Sequence, residues 1–273
     1  MLSIEIASLR NLKGALSRPP EGQIPDAGLE YQLEQLPYSL DSALMAAIML
    51  CETAQEVVAR IQNDPRYRNS VAVSLQDDRL RLGFFVDSYL GAARRAQNGC
   101  THFLSRVYGQ GQPSSLADVV SKIGKGSSPL SSEARAVLGS YWSRSGQKLK
   151  AYRDLSEHFS VVASDVRVAS AEVGVSLLYL TLPNNPEAKT IRNLNYAEPT
   201  VHALEYVQTS LIALVAFVRD LSEVMLREIG SPTKLLMMFP FRDGRMKAQG
   251  MAPIASSDLR ARVFAAAKAD PQA

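Results

Sequence analysis

Four stretches of this sequence carry apolar residues three and four positions apart over many turns, a period that fits long α-helices and little else. The first starts at a cap on Ser39 or Asp41 and runs through Leu44, Ile48, Cys51, Val57 and Ile61. It stops near Asn63-Asp64-Pro65, because the residue before a proline is steered away from helical geometry. The second spans about Asp77 to Tyr108, on Leu80, Phe84, Phe85, Tyr89, Ala92, Ala96, Phe103 and Val107, and Gly109-Gln110-Gly111 ends it. The third follows Ser131 or Ser132 and carries Ala136, Leu138, Tyr141, Trp142, Leu149, Tyr152, Leu155 and Phe159, with Gly139 and Gly146 inside it. The fourth, capped by Thr200, carries Val201, Leu204, Val207, Leu211, Leu214, Val218, Leu221 and Met225, and stops at Gly230-Ser231-Pro232. A helix with one apolar stripe must bury it against another. The pattern therefore predicts a mainly α fold, an antiparallel bundle of about four long helices.

Between the third and fourth stretches the period falls to two. Val166, Val168 and Ser170 alternate, as do Val173, Val175, Leu177 and Tyr179, so a small β-hairpin is expected near residues 165–181. A lone hairpin is marginal in water. The weak alternation of Leu2, Ile4 and Ile6 in residues 1–10 offers a strand to pair with it. Residues 17–38 hold Pro19-Pro20, Gly22, Pro25, Gly28 and Pro37 and read as a loop. The chain thus divides into an N-terminal strand and loop (1–38), a bundle with its hairpin (39–230) and a C-terminal tail (231–273), in which Leu259 to Ala267 can form a short helix. Another short helix holds Leu116, Val119, Val120 and Ile123. The Gly124-Lys125-Gly126 run after it has neither the glycine-lysine order nor the strand-to-helix setting of a phosphate loop, so it reads as a solvated turn.

A formal charge of +3 is too mild for a dedicated DNA-binding surface. The two cysteines, Cys51 and Cys100, sit within helical stripes and are expected to be free thiols. No zinc spacing is present, and neither a metal nor a cofactor is expected. The first residues lack the basic head and apolar run of a signal peptide. The apolar stretch at Leu211 to Val218 is too short to cross a bilayer, so no membrane partner and a cytoplasmic location are expected.

The residues with the most chemical potential lie in the third stretch, at Arg153-Asp154-Leu155-Ser156-Glu157-His158. Arginine is permanently charged and forked to fit phosphate. Histidine moves protons near neutral pH. On a helix, five positions leave Arg153 and His158 about 140° apart, whereas Asp154 and His158, like Arg153 and Glu157, are stacked neighbours. Both Arg153 and His158 can meet one phosphate only if the helix bends or ends near His158, or if a second molecule completes the site. The competing reading is structural: Arg153 paired with Glu157 on a solvated face, and His158 half-buried on Asp154. Arg95, His102 and Arg106 offer a similar but looser grouping beside a core position. Lys122, Lys125, Arg242, Arg245 and Lys247 could touch RNA backbone, the polar loop from Asn184-Asn185 to Tyr196 is unspecific, and His202 has no evident role.

The Arg153-to-His158 segment resembles the signature of HEPN domains, in which an arginine and a polar residue precede a histidine on a helix of a helical bundle. The resemblance extends over residues 40–230 at most. It implies metal-independent RNA cleavage, with His158 as general acid or base, Arg153 stabilising charge on the phosphate and Asp154 orienting one of them or contacting RNA. It also implies a homodimer, since such sites usually assemble from two protomers. The alternative is a non-catalytic protein of the same fold that binds a protein partner.

Overall fold

A computed structural model describes residues 4–17, 27–67, 72–109, 113–158, 167–170, 176–188, 190–197, 199–230 and 257–268. The fold is mainly α, with four long helical runs and a small β insertion. The runs are α2 (Ala27–Asn63), α3 (Gln76–Tyr108), the composite α5 (Ser132–Tyr141), π segment (Trp142–Gly146) and α6 (Gln147–His158), and α7 (Ala203–Glu228). Shorter helices are α1 (Ala7–Leu16), α4 (Leu116–Gly124) and α8 (Ser257–Lys268). One core joins the long helices, built on residues such as Leu36, Leu40, Leu44, Leu90, Phe103, Leu138, Tyr152, Leu211 and Leu214. Tyr141 stacks on Phe217 with ring centroids 4.1 Å apart, and Tyr152 meets Tyr206 edge-on at 4.7 Å. Buried aromatic pairs of this kind fix the relative rotation of neighbouring helices.

The helix ends follow local chemistry. Ser115 and Ser131 cap α4 and α5 by accepting from the backbone N–H groups of Asp118 and Ala134. Gly109 and Gly230 take left-handed backbone angles just past α3 and α7, a region that costs glycine nothing. Among the described glycines, Gly99 sits against α2: a Cβ there would lie 3.0 Å from Leu36 Cβ.

Three expectations are corrected. Residues 1–10 do not form a strand among those described: α1 begins at Ala7, and Leu9 and Leu12 are buried at helical spacing. Residues 17–38 are not all loop, because α2 begins at Ala27 and carries Pro37 in its interior. Proline removes a helical hydrogen bond there, but burial of Leu33, Leu36 and Leu40 outweighs that loss. Ser39 and Asp41 are therefore helical residues rather than caps, and Asp41 accepts instead from the backbone N–H of Ile4 at 2.7 Å. Nor does Thr200 cap α7. His202 precedes it, and Val201–His202 forms a strand (β5).

The hairpin is present as β2 (Arg167–Ser170) and β3 (Ser176–Tyr179), with Val168 opposite Leu178. Its third strand is β1 (Ala72–Ser74), antiparallel to β2. A separate ladder pairs β4 (Thr181–Leu182) with β5. The Tyr152 hydroxyl donates to the Pro183 carbonyl at 2.6 Å and ties α6 to this edge. The expected terminal helix is α8, docked on α7 through buried Val263 and the Arg219 bond to the Ala266 carbonyl. The expectation of no membrane partner rests on Leu211 to Val218, but by length and composition α2, from Tyr31 to Asn63, is apolar enough to cross a membrane. In this fold its leucine stripe lies in the core.

Candidate functional site

Helix α6 packs antiparallel to α3. Its Leu149, Tyr152 and Leu155 point into the core, which turns Arg153, Ser156 and Glu157 toward α3. These three meet Asp87, Gly91, Arg94, Arg95 and Asn98 of α3 around a cleft of ≈ 270 Å³. On a helix, residues 87, 91, 94, 95 and 98 fall on one face.

Arg94 forms the floor of this cleft. It is only 6% exposed, and its Nη1 donates to Gln97 Oε1 at 2.9 Å. No carboxylate pairs with it among the described residues. Gln97 is fully buried and is held in turn: its Nε2 donates to the Tyr141 hydroxyl at 2.8 Å and to the Gly146 carbonyl at 3.2 Å. The Gly146 carbonyl belongs to the π segment, where the backbone N–H of Gln147 reaches the Trp142 carbonyl five residues back. Such bulges recur at functional sites. Here the bulge supplies one end of a relay that aims a guanidinium at the cleft. Burial lowers the Arg94 pKa and the Asp154 carboxylate raises it again. An arginine stays charged under either influence.

The carboxylates of the cleft differ from one another. Ser156 Oγ donates to Asp87 Oδ1 at 2.8 Å. Burial pushes the Asp87 pKa up, and the Ser156 bond pulls it partly back. Glu157 pairs with Arg153. Arg94, Arg95, Arg153 and, behind Asp154, Lys150 face Asp87, Asp154 and Glu157, so the positive excess is a single charge. Asn98 accepts the backbone N–H of Leu116 at 3.3 Å, joining the cleft wall to the start of α4.

Of the three residues expected at the site, the structure brings Arg153 and Asp154 together. Arg153 lines the arginine cleft. Asp154 lies between Arg153 and Lys150: it pairs with Lys150, approaches Arg153 Nη1 at 3.7 Å, and lines a wider cleft of ≈ 900 Å³ with Trp142, Gln147, Leu155 and Pro186. His158 is the last residue of α6, and its side chain lies outside the described residues. The Arg153–Glu157 pair of the structural reading is therefore present, but it borders a concave site rather than an open face. His102 is no member of the site: burial lowers its pKa, and its Nδ1 is buried without a partner among the described residues. The asparagines of the polar loop hold that loop together, Asn185 Oδ1 accepting from Asn195 N at 2.7 Å. Arg242, Arg245 and Lys247 lie outside the described residues.

Sequence reasoning missed Asp87, Arg94 and Gln97. The available signal was Gln97, a polar residue in the register of Leu90, Ala93, Cys100 and Leu104, with an arginine three residues before it. No protein-family model, no curated protein and no solved structure matches this chain.

Proposed function

We propose that this chain is a HEPN-like helical bundle that binds RNA and seats a backbone phosphate in the cleft between α3 and α6. The observation that carries this reading is the buried Arg94 guanidinium, which has a glutamine to orient it and, among the described residues, no carboxylate in direct contact, Asp154 acting on it without an ion pair. Leaving a buried charge unpaired is costly, and a phosphate oxygen is the partner its forked donors fit. Arg95 and Arg153 stand at the rim, where a second and third contact with the same backbone can form. The test is RNA binding by fluorescence anisotropy at two salt concentrations. Charge-assisted hydrogen bonds are worth about 1.5–3 kcal/mol, so Arg94→Met weakens binding by roughly 10- to 100-fold. Wild-type affinity falls with salt, and the slope is shallower in Arg95→Ala. Equal affinity of wild type and Arg94→Met removes the reading.

Ribonuclease activity is a second reading, favoured by one observation: Arg153, the first residue of the motif, lines the same cleft as Arg94. Cleavage requires Glu157 to release Arg153 to the phosphate and His158 to move the proton. Mixed RNA incubated in EDTA with wild type, Arg153→Ala and His158→Ala tests it. Cleavage by wild type alone supports it. Equal cleavage by all three, or none by any, leaves RNA binding as the function.

A further inference from the structure

We infer that the arginine cleft continues along α3 as a track for single-stranded RNA, with Phe84 as a stacking platform for an unpaired base. The inference rests on the phosphate reading above and adds the class of RNA. At about 100° per residue, Leu80, Phe84, Asp87, Gly91, Arg94, Arg95 and Asn98 all fall within an arc of about 100°. The arginine cleft and the outer turns of α3 are therefore one face, basic toward its C-terminal end and apolar toward its N-terminal end. On that face Leu80 is 67% exposed and Phe84 65% exposed, in a helix whose other large apolar residues are mostly buried. The Phe84 ring is anchored: Phe85, which packs against the core, holds it at 5.5 Å in an edge-to-face contact.

Ten residues separate Phe84 from Arg94, a rise of about 15 Å, which matches about four stacked bases at about 3.4 Å each. A duplex hides its base faces and offers Phe84 nothing to stack on. A single strand can lay its backbone on the arginines and one base on the ring, the pairing of charge and aromatic surface that single-strand binders use. The arginines about three turns beyond Phe84 on the same face, past Asp87, favour a polyanion over an apolar protein segment.

Anisotropy of a labelled 12-nucleotide oligouridine, with inorganic polyphosphate as competitor, tests the inference on the full chain. Wild type binds both ligands. Phe84→Ala weakens the oligonucleotide about ten-fold, while polyphosphate, which has no bases, competes as before. Phe84→Tyr restores the affinity. Melting curves check that the exposed substitutions leave the fold intact. Oligonucleotide affinity unchanged in Phe84→Ala, with Arg94→Met still weakened for both ligands, overturns the stacking platform and spares the phosphate site. Failure of wild type to bind either ligand, or an Arg94→Met variant that binds both normally, overturns the phosphate site and the platform with it.

Discussion

A long side chain that is nearly buried usually contributes to stability, but Arg94 has a different balance. Its methylenes are packed, yet its charge is desolvated with a single neutral acceptor among the described residues. Removing a packed leucine costs about 2–5 kcal/mol. Arg94→Met keeps most of the volume, removes the desolvated charge and leaves Gln97 Oε1 without its donor, effects of opposite sign. Urea melts of this variant should therefore fall within about 1 kcal/mol of wild type while RNA binding drops; a loss on the leucine scale would mean that Arg94 is structural. Asp87 has the complementary behaviour. Burial raises its pKa more than the Ser156 bond lowers it, so the folded chain holds this proton more tightly than the unfolded chain. Its contribution to stability is greatest below the unfolded carboxylate value and declines as pH rises through the folded one. Asp87→Asn cannot ionise, so it melts above wild type at pH 7, and the gap closes as pH falls below about 4. The same substitution removes a negative charge from the cleft and should tighten RNA binding by about five-fold at low salt, an effect of about 1 kcal/mol at such distances. A lower melting temperature at pH 7 would show that the carboxylate is needed for packing. The sequence exposes little of this. Arg94 and Arg95 are adjacent, and only the position of Gln97 within the core period hints that the first of them turns inward.

At the scale of elements, the π segment between α5 and α6 matters most to the site. Core positions run 134, 138, 141, then 146, 149, 152 and 155. The step of five between Tyr141 and Gly146 is the mark of one residue inserted into an α-helical register, and it was legible in the sequence once the stripe was counted across Trp142. Gly146 is there because a Cβ would meet Tyr141 Cε1 at 2.9 Å and Trp142 Cε3 at 3.0 Å. Gly146→Ala should cost about 1–3 kcal/mol, the usual scale of overpacking, read as a lowered urea midpoint. Deleting exposed Ser143 is the sharper experiment. It converts the step of five to four and leaves the core faces of α5 and α6 in phase. The chain should stay folded with unchanged helicity by circular dichroism, yet bind RNA more weakly, because the bulge no longer presents the Gly146 carbonyl to Gln97. Unchanged binding would show that the bulge does not tune the cleft. Elsewhere the helical period marked the long runs well and failed where local propensity and burial disagree. Pro37 signalled a break, but Leu33, Leu36 and Leu40 keep α2 helical through it. Ile4 and Ile6 suggested alternation, but the next buried positions, Leu9 and Leu12, belong to a helix.

For the whole molecule, the bundle was legible because four apolar stripes have no use except on one another, and the hairpin because a period of two is unlike anything around it. The third strand was not. β1 is only Ala72–Ser74, too short to show a period, and its pairing with β2 joins residues nearly a hundred positions apart. The site was half legible for a related reason. A motif on one helix fixes the angles of its own residues, but not what the facing helix supplies. Those angles lead to the last prediction. Arg153 and Asp154 line different clefts although their side chains approach to 3.7 Å, and five positions along an ideal helix place His158 about 140° from Arg153. An ideal motif helix does not bring both Arg153 and His158 to one phosphate, which leaves two routes: the end of α6 at His158, or a second protomer. If the chain cleaves RNA by the second route, the arginine of one protomer acts with the histidine of another. Arg153→Ala and His158→Ala proteins, each inactive alone, should then regain activity when mixed and allowed to exchange subunits. Half of the dimers become mixed, and each mixed dimer keeps one intact site of two, so activity returns to about a quarter of wild type. If no activity returns although subunit exchange is verified by labelled protomers, the two residues work within one chain or not at all. In the first case the wild-type rate persists in a forced monomer, and in the second the protein is an RNA binder without chemistry.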